Sequence, residues 1–180
     1  MVNASLPATL NPIDMTLITT QDPHFSLRFA TPDDAQHVVD FMKKLGAYQK
    51  MLEKITATEA SIRKLLTEGR GEAVFGSYDG QIVAFMYFCQ TSSAFTGQQG
   101  LYIDGFLVDD CMRGKGLGTI MMAFMSKLAL ERGCQRLEWG CLDWNEPTIK
   151  FYRDLGATSV DIMTIYRFAP EQLQANAAQF

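Results

Sequence analysis

The run Arg113-Gly114-Lys115-Gly116-Leu117-Gly118 carries the strongest chemical signal in the chain. Glycines leave main-chain N–H groups free to turn toward a ligand, and a helix beginning there adds the partial positive charge of its N-terminus. The segment is expected to cradle an anion. It lacks the Lys-Ser or Lys-Thr ending of G-x-x-x-x-G-K-[ST] and the full G-x-G-x-x-G pattern, which disfavours a nucleoside triphosphatase and a dinucleotide fold. A glycine turn that only caps a helix would use the same residues, and spacing alone does not separate the two. Asp104 lies just upstream in a row of apolar residues, an unusual place for an unpaired carboxylate. It is either a site acid or a solvated strand acid paired with Lys or Arg. Tyr152 offers a phenol with a reference pKa of about 10, protonated at neutral pH and able to give its proton to a stronger base. Packing with Phe151 is its structural alternative. Asn145 can cap the helix that opens at Glu146, bind a ligand, or do both.

The elements that must position these residues follow from periodicity. Phe25 to Ala30 alternates as a strand, and Thr31-Pro32-Asp33-Asp34 supplies an N-cap, a first-turn proline and acids at a positive helix end. Ala35, Val38, Val39, Met42 and Leu45 then mark an amphipathic helix to about Gly46. Thr56 and Glu59 form a capping-box pattern before a second helix ended by Gly69. Ala73 to Tyr78 and Gln81 to Gln90 read as strands joined by Asp79-Gly80, a hairpin signal, with Thr91 to Gly100 expected as a loop. Leu101 to Val108 is a strand, Gly116 to Arg132 a long helix, Leu137 to Leu142 a strand, Glu146 to Leu155 a helix and Thr158 to Phe168 a closing strand. Residues 1–24, with Pro7, Pro12 and Pro23, read as a mobile extension that makes a poor signal peptide. Residues 169–180 read as a tail.

Composition excludes several classes. The 180 residues are 47% apolar and 20% charged, which suits one domain with its own core and excludes disordered or collagen-like chains. No run of about 18 apolar residues is present, so no membrane span is expected. Sixteen basic against twenty acidic residues give a net charge of -4, the wrong sign for gripping a nucleic-acid backbone. Cys89, Cys111, Cys134 and Cys141 lack C-x-x-C spacing and read as thiols of a reducing cytoplasm. With His24 and His37 the only histidines, a His-rich metal site or Ser-His-Asp chemistry is disfavoured, and no metal is expected. Met121, Met122, Met125 and Phe124 read as core or subunit interface.

Read as R-x-x-G-x-G, Arg113 to Gly118 resembles the coenzyme A pyrophosphate loop of the GNAT family of N-acetyltransferases. Trp144 to Tyr152 is similar to that family's segment after the fifth strand, and Arg28 to Thr31 to its opening strand and turn. Leu101-Tyr102-Ile103-Asp104 brings the likeness nearest to the diamine (spermidine/spermine-type) acetyltransferases. The resemblance runs from about Phe25 to Phe168, and implies an α/β GNAT fold with a mixed central sheet in the order β-α-α-β-β-β-α-β-α-β. It implies acetyl-CoA as cosubstrate, a small-molecule amine as acceptor, a cytoplasmic enzyme and a homodimer. Cofactor contacts are then expected from the main chain of Phe106, Leu107 and Val108, from Arg113, Gly114, Lys115, Gly116, Leu117, Gly118 and Thr119, and from Asn145 and Tyr152. By the same resemblance Tyr152 is the general acid that protonates the departing thiolate, and Asp104 orients the amine or relays its proton through water. Tyr48, Gln49 and Glu53 fall in the acceptor-binding stretch. Two departures stand out: Asp104-Gly105 replaces a Glu followed by an acid, and Lys50 lies in a stretch that is richer in acids in polyamine-acetylating relatives. Smaller amines and amino acids with side-chain amines therefore stay open, as do a protein N-terminus, a lysine, an aminoglycoside-like drug, or a non-catalytic CoA-binding role.

Overall fold

A computed structural model describes residues 17–160 and 164–179. The chain divides into two compact units, Met1–Leu142 and Asp143–Phe180. In the first unit β1 (Ile18–Thr19) falls within the segment read as an extension, and pairs with Leu27 and Ser26 of β2 (Phe25–Phe29). A 3-10 turn over Pro32–Asp34 leads into α1 (Ala35–Tyr48), followed by α2 (Glu59–Thr67), β3 (Glu72–Tyr78), β4 (Gln81–Ser93), β5 (Gln98–Val108), α3 (Leu117–Glu131) and β6 (Arg136–Trp139). The six strands form one sheet in chain order, antiparallel throughout except for the parallel β5–β6 pair. A mixed α/β sheet of the expected class results.

Strand alternation assigns each face a helix layer. Phe75 of β3, Phe85 of β4 and Leu107 of β5 share one face with Val38, Phe41 and Leu45 of α1 and Ile62 and Leu66 of α2. On the other face Phe29 of β2 meets Phe124 of α3 edge-on, with ring centroids 5.9 Å apart, and Met121 and Met125 are fully buried. The methionines expected in the core are there. At the β2–α1 junction Arg28 makes a two-pronged ion pair with Asp34, at 2.8 and 2.7 Å, while the Thr31 N–H donates to the same carboxylate. The Asp79-Gly80 hairpin forms as expected: both residues have positive φ, +48° and +83°, as a type I′ turn requires.

Local boundaries differ where polar residues mislead. Thr91 to Gly100 is not a loop, because the β4–β5 ladder continues through Thr91–Gly100, Ser92–Gln99 and Ser93–Gln98. Main-chain hydrogen bonds hold that extension, which needs no buried face, and only residues 94–97 turn. The second helix is capped by Thr58 and Ser61, whose hydroxyls accept from each other's main-chain N–H, rather than by Thr56 and Glu59. Helix α1 runs two residues past Gly46, which serves close packing instead of termination: a Cβ there would lie 2.7 Å from Ile55.

The second unit contains α4 (Glu146–Asp154) and α5 (Pro170–Ala177). Of the closing strand expected over 158–168, residues 158–160 and 164–168 lie in no regular element, and 161–163 fall outside the described residues. Helix α5 occupies the segment read as a tail. Among the described residues no helix is long and apolar enough to cross a membrane.

Candidate active site

Strand β5 is paired on both sides only over part of its length. Its parallel partner β6 covers Gly100 to Ile103 and stops at Trp139, while β5 continues to Val108. The Asp109 N–H donates to the Val83 carbonyl at 2.8 Å, and antiparallel hydrogen-bonded pairs recur every second residue. Leu107 and Gly105 therefore bond to Phe85 and Tyr87, and the main-chain groups of Phe106 and Val108 turn the other way, past the end of β6. That edge can hold an extended, amide-bearing ligand arm. The side chain of Leu107 is committed to the core.

Asp104 is the extra residue of a β-bulge. Tyr87 pairs with Gly105 and Phe88 with Ile103, leaving Asp104 exposed and without a ladder partner. The bulge puts Asp104 and Gly105 on the same face as Tyr87 and Cys89. Burial raises the pKa of the Tyr87 phenol and the Cys89 thiol, and the Asp104 charge adds to both shifts. Tyr87 drew no notice in the sequence and Cys89 read only as a reduced thiol, since each sits in a strand that reads as plain core. Helix α1 closes over the bulge: a Cβ on Gly105 would lie 2.9 Å from Met42 Sδ.

Beyond Val108 a 3-10 turn over Asp110–Met112 delivers the glycine run. Gly114 and Gly116 have φ of +78° and +79°, and a Cβ built on either meets no atom within 4 Å. The loop is thus open on the side a ligand would take, and the glycines are required by backbone conformation rather than by crowding. Gly116 is the N-cap residue of α3, a 15-residue helix whose first N–H groups face this opening. The Arg113 guanidinium pairs with Asp110 at 2.6 Å and lies 4.6 Å from the Tyr48 ring centroid, so residues expected to meet the cofactor and the acceptor touch each other. Leu117 is buried as the first α3 core contact, and Thr119 is exposed. These features fit a pyrophosphate with a pantetheine arm.

The Acetyltransferase (GNAT) family profile matches residues 54–157, more than half of the chain. The chain belongs to the GNAT acetyltransferase family. It is 24% identical over 169 residues to thialysine N-epsilon-acetyltransferase of Bos taurus, covering 85% of this chain and 97% of that protein. To the human spermidine/spermine N(1)-acetyltransferase-like protein 1 it is 26% identical, over 86% of this chain and 24% of that longer protein. The integron cassette protein VCH_CASS6 of V. cholerae superposes with a TM-score of 0.70 at 21% identity, covering 86% of this chain and 98% of that one, and shares the fold. The diamine-type resemblance stands, and the protein is an N-acetyltransferase of a family that uses acetyl-CoA.

Of the other expected site residues, Gln49 and Glu53 follow α1, and Asn145 and Tyr152 belong to the second unit. Gln49 follows α1 directly, and Glu53 lies exposed in a 3-10 turn over Leu52–Lys54. Asn145 is the N-cap residue of α4 and is buried, with its carbonyl accepting from Thr148 and Ile149. Its side chain makes no cap hydrogen bond to α4. Tyr152 is half-buried on α4, its ring 5.2 Å from that of Phe151. Among the described residues no three His, Cys, Asp or Glu side chains are grouped to hold a metal ion.

Proposed function

We propose that this enzyme moves the acetyl group of acetyl-CoA directly to a primary amine of a small molecule, with an amino acid bearing a side-chain amine as the favoured acceptor. The observation that carries the reading is the bulge. Asp104 presents one carboxylate beside the open edge of Phe106 and Val108, and position 105 has no room for a second acid while Met42 stays in place. One carboxylate suits one ammonium. A polyamine, with several, gains little here, and Lys50 in the loop after α1 opposes a long polycation. The similarity to a thialysine N-epsilon-acetyltransferase along nearly its whole length agrees with an amino-acid acceptor.

In this reading the amine loses its proton near Asp104, directly or through a water, and attacks the thioester carbonyl. A C–N bond forms and the C–S bond breaks. Main-chain N–H groups on the β5 edge polarise the carbonyl oxygen, and Tyr152 gives its phenolic proton to the departing thiolate. No acyl-enzyme forms. The loop from Arg113 to Thr119 holds the pyrophosphate, and the Asn145 amide holds the pantetheine end.

The test is release of free CoA thiol across lysine, thialysine, ornithine, putrescine and spermidine, with initial rates at varied acetyl-CoA. The amino acids should show kcat/KM roughly tenfold above spermidine, a margin that one favourable charge contact supplies. Double-reciprocal lines should converge, and parallel lines would overturn direct transfer. Tyr152→Phe should cut kcat by ~100-fold with CoA affinity unchanged, and an undiminished, chemistry-limited kcat would remove Tyr152 as the acid.

A further inference from the structure

Strand β6 carries a charged pair on the sheet face that holds Asp104, and the mechanism does not use it. The strand registers fix this face. Cys89 of β4 pairs with Tyr102 of β5, which pairs with Glu138 of β6, and the next row on the same side joins Thr91, Gly100 and Arg136. Arg136 crosses its glycine closely. A Cβ on Gly100 would lie 2.7 Å from Arg136 Cγ and 3.0 Å from Thr91 Oγ1. The apolar cluster beneath α1 and α2 reaches Tyr87 on β4 and stops short of these rows. From Gly100 the Arg136 side chain leans toward the Asp104 end of the face, where its Nε lies 3.0 Å from Glu138 Oε2, and the two side chains are 36% and 41% exposed. Arg136 Nε and the Thr91 hydroxyl are buried atoms without a hydrogen-bond partner among the described residues. Such atoms call for an explanation, and an acceptor oxygen brought by a ligand would supply one.

We propose that Arg136 and Glu138 read the zwitterionic head of the acceptor, Arg136 taking the α-carboxylate and Glu138 the α-ammonium. The inference rests on the reading of the acceptor as an amino acid with a side-chain amine. Its span fits. Tyr102, beside Glu138, precedes Asp104 by two residues, about 7 Å along a strand, and five single bonds carry a lysine-like amine about 6 Å from its α-carbon. An amine at Asp104 therefore leaves the head group at the Arg136–Glu138 pair. The charges also correspond. An amino-acid head holds a carboxylate and an ammonium on one carbon, and the pair offers the two opposite charges side by side. A turn of the part-exposed Arg136 side chain would set its Nε–H and the Thr91 hydroxyl on the incoming carboxylate. Because Arg136 neutralises Glu138, the pair gives a polyamine no net attraction, which leaves Asp104 as the acid that meets the reacting ammonium. A simple diamine lacks the carboxylate and would leave the guanidinium facing a second cation.

Three acceptors separate the two contacts: lysine, cadaverine, which lacks the carboxylate, and 6-aminohexanoate, which lacks the α-amine. Release of CoA thiol at saturating acetyl-CoA gives kcat/KM for each. Wild type should favour lysine roughly tenfold over either analogue, the size of one charge-assisted contact at a part-exposed site. Arg136→Ala should cut lysine by about tenfold and leave cadaverine at or above its wild-type value, since Glu138 is then free to meet the second ammonium. Glu138→Gln should cut lysine by a similar factor and leave 6-aminohexanoate at or above its wild-type value. Arg136→Lys keeps the charge and should retain part of the lysine preference. CoA affinity by isothermal titration should match wild type in all three variants. An equal loss for every acceptor would make the pair a support of the sheet face and overturn the inference. Wild type that prefers lysine to spermidine yet takes cadaverine as well as lysine overturns the head contacts alone. Wild type that takes spermidine and refuses lysine removes the amino-acid reading, and the inference with it.

Discussion

Asp104 combines an exposed carboxylate with a backbone position that the ladder does not use. A bulge costs sheet pairing, and here it leaves one exposed acid beside the unpaired edge of β5. The charge is felt by its neighbours: after burial it is the next cause of the raised pKa of Cys89 and of Tyr87. Asp104→Asn removes that charge at nearly constant volume, so the Cys89 thiol should ionise at lower pH in the variant. Peptide-resolved alkylation across pH measures this, and an unmoved Cys89 profile would show that Asp104 does not face the thiol. In kinetics the same variant should lose ~10- to 100-fold in amine kcat/KM while CoA affinity holds. Asp104→Glu should retain much of the activity. Loss of CoA binding in the Asn variant would mean that the carboxylate supports the strand edge instead of the acceptor.

At the scale of elements, the β2–α1 junction depends on Arg28 and Asp34. The guanidinium, helped by the Thr31 N–H, holds the Asp34 carboxyl well below its ordinary value, at about 2 against 3.8. A depressed carboxylate pKa stabilises the fold above the unfolded value and loses that contribution as pH falls through the folded one. The contribution is thus complete above about pH 5, mostly lost by pH 2 and gone near pH 1, and the shift corresponds to about 2 kcal/mol. Asp34→Asn should lower unfolding free energy by about that amount at pH 6 and by little at pH 2, as urea titrations at the two values would reveal. A constant difference would assign the effect to packing. This junction was legible in the sequence, because Thr31-Pro32-Asp33-Asp34 is a local signal, and so were the Asp79-Gly80 turn and the glycine loop. The extension of the β4–β5 hairpin was not, since polar residues in a ladder bonded through its main chain leave no periodic trace. Asp104 stood out as a carboxylate among apolar neighbours. Tyr87 and Arg136 did not, because their relevance lies in cross-strand contacts that register creates.

Across the first unit, one end of the sheet collects the glycine loop and the unpaired edge of β5. Asp109 ties β5 to β4 through the Val83 carbonyl and to α1 through Lys44 at 2.9 Å. Arg113 rests on Tyr48 at the end of α1, and Lys115 on Tyr78 at the end of β3. The glycine loop is therefore held to both helix-covered and hairpin parts of the sheet while its own glycines face open space. A ligand bound there should stabilise the native state as a whole, since the unfolded chain has no such loop. At a hundred times its dissociation constant, CoA adds about 2.7 kcal/mol, or roughly 5–10 °C in melting temperature for a chain of this size. Gly116→Asp forces a side chain into a φ of +79° and costs about 1 kcal/mol, so the apo protein should melt ~2–4 °C lower yet remain folded. Its new carboxylate would occupy the opening and repel the pyrophosphate, and the CoA-induced rise should vanish. Thermal scans of both proteins with and without CoA carry the test. A folded Gly116→Asp protein that still gains the full wild-type shift would show that the cofactor is held elsewhere than at the start of α3.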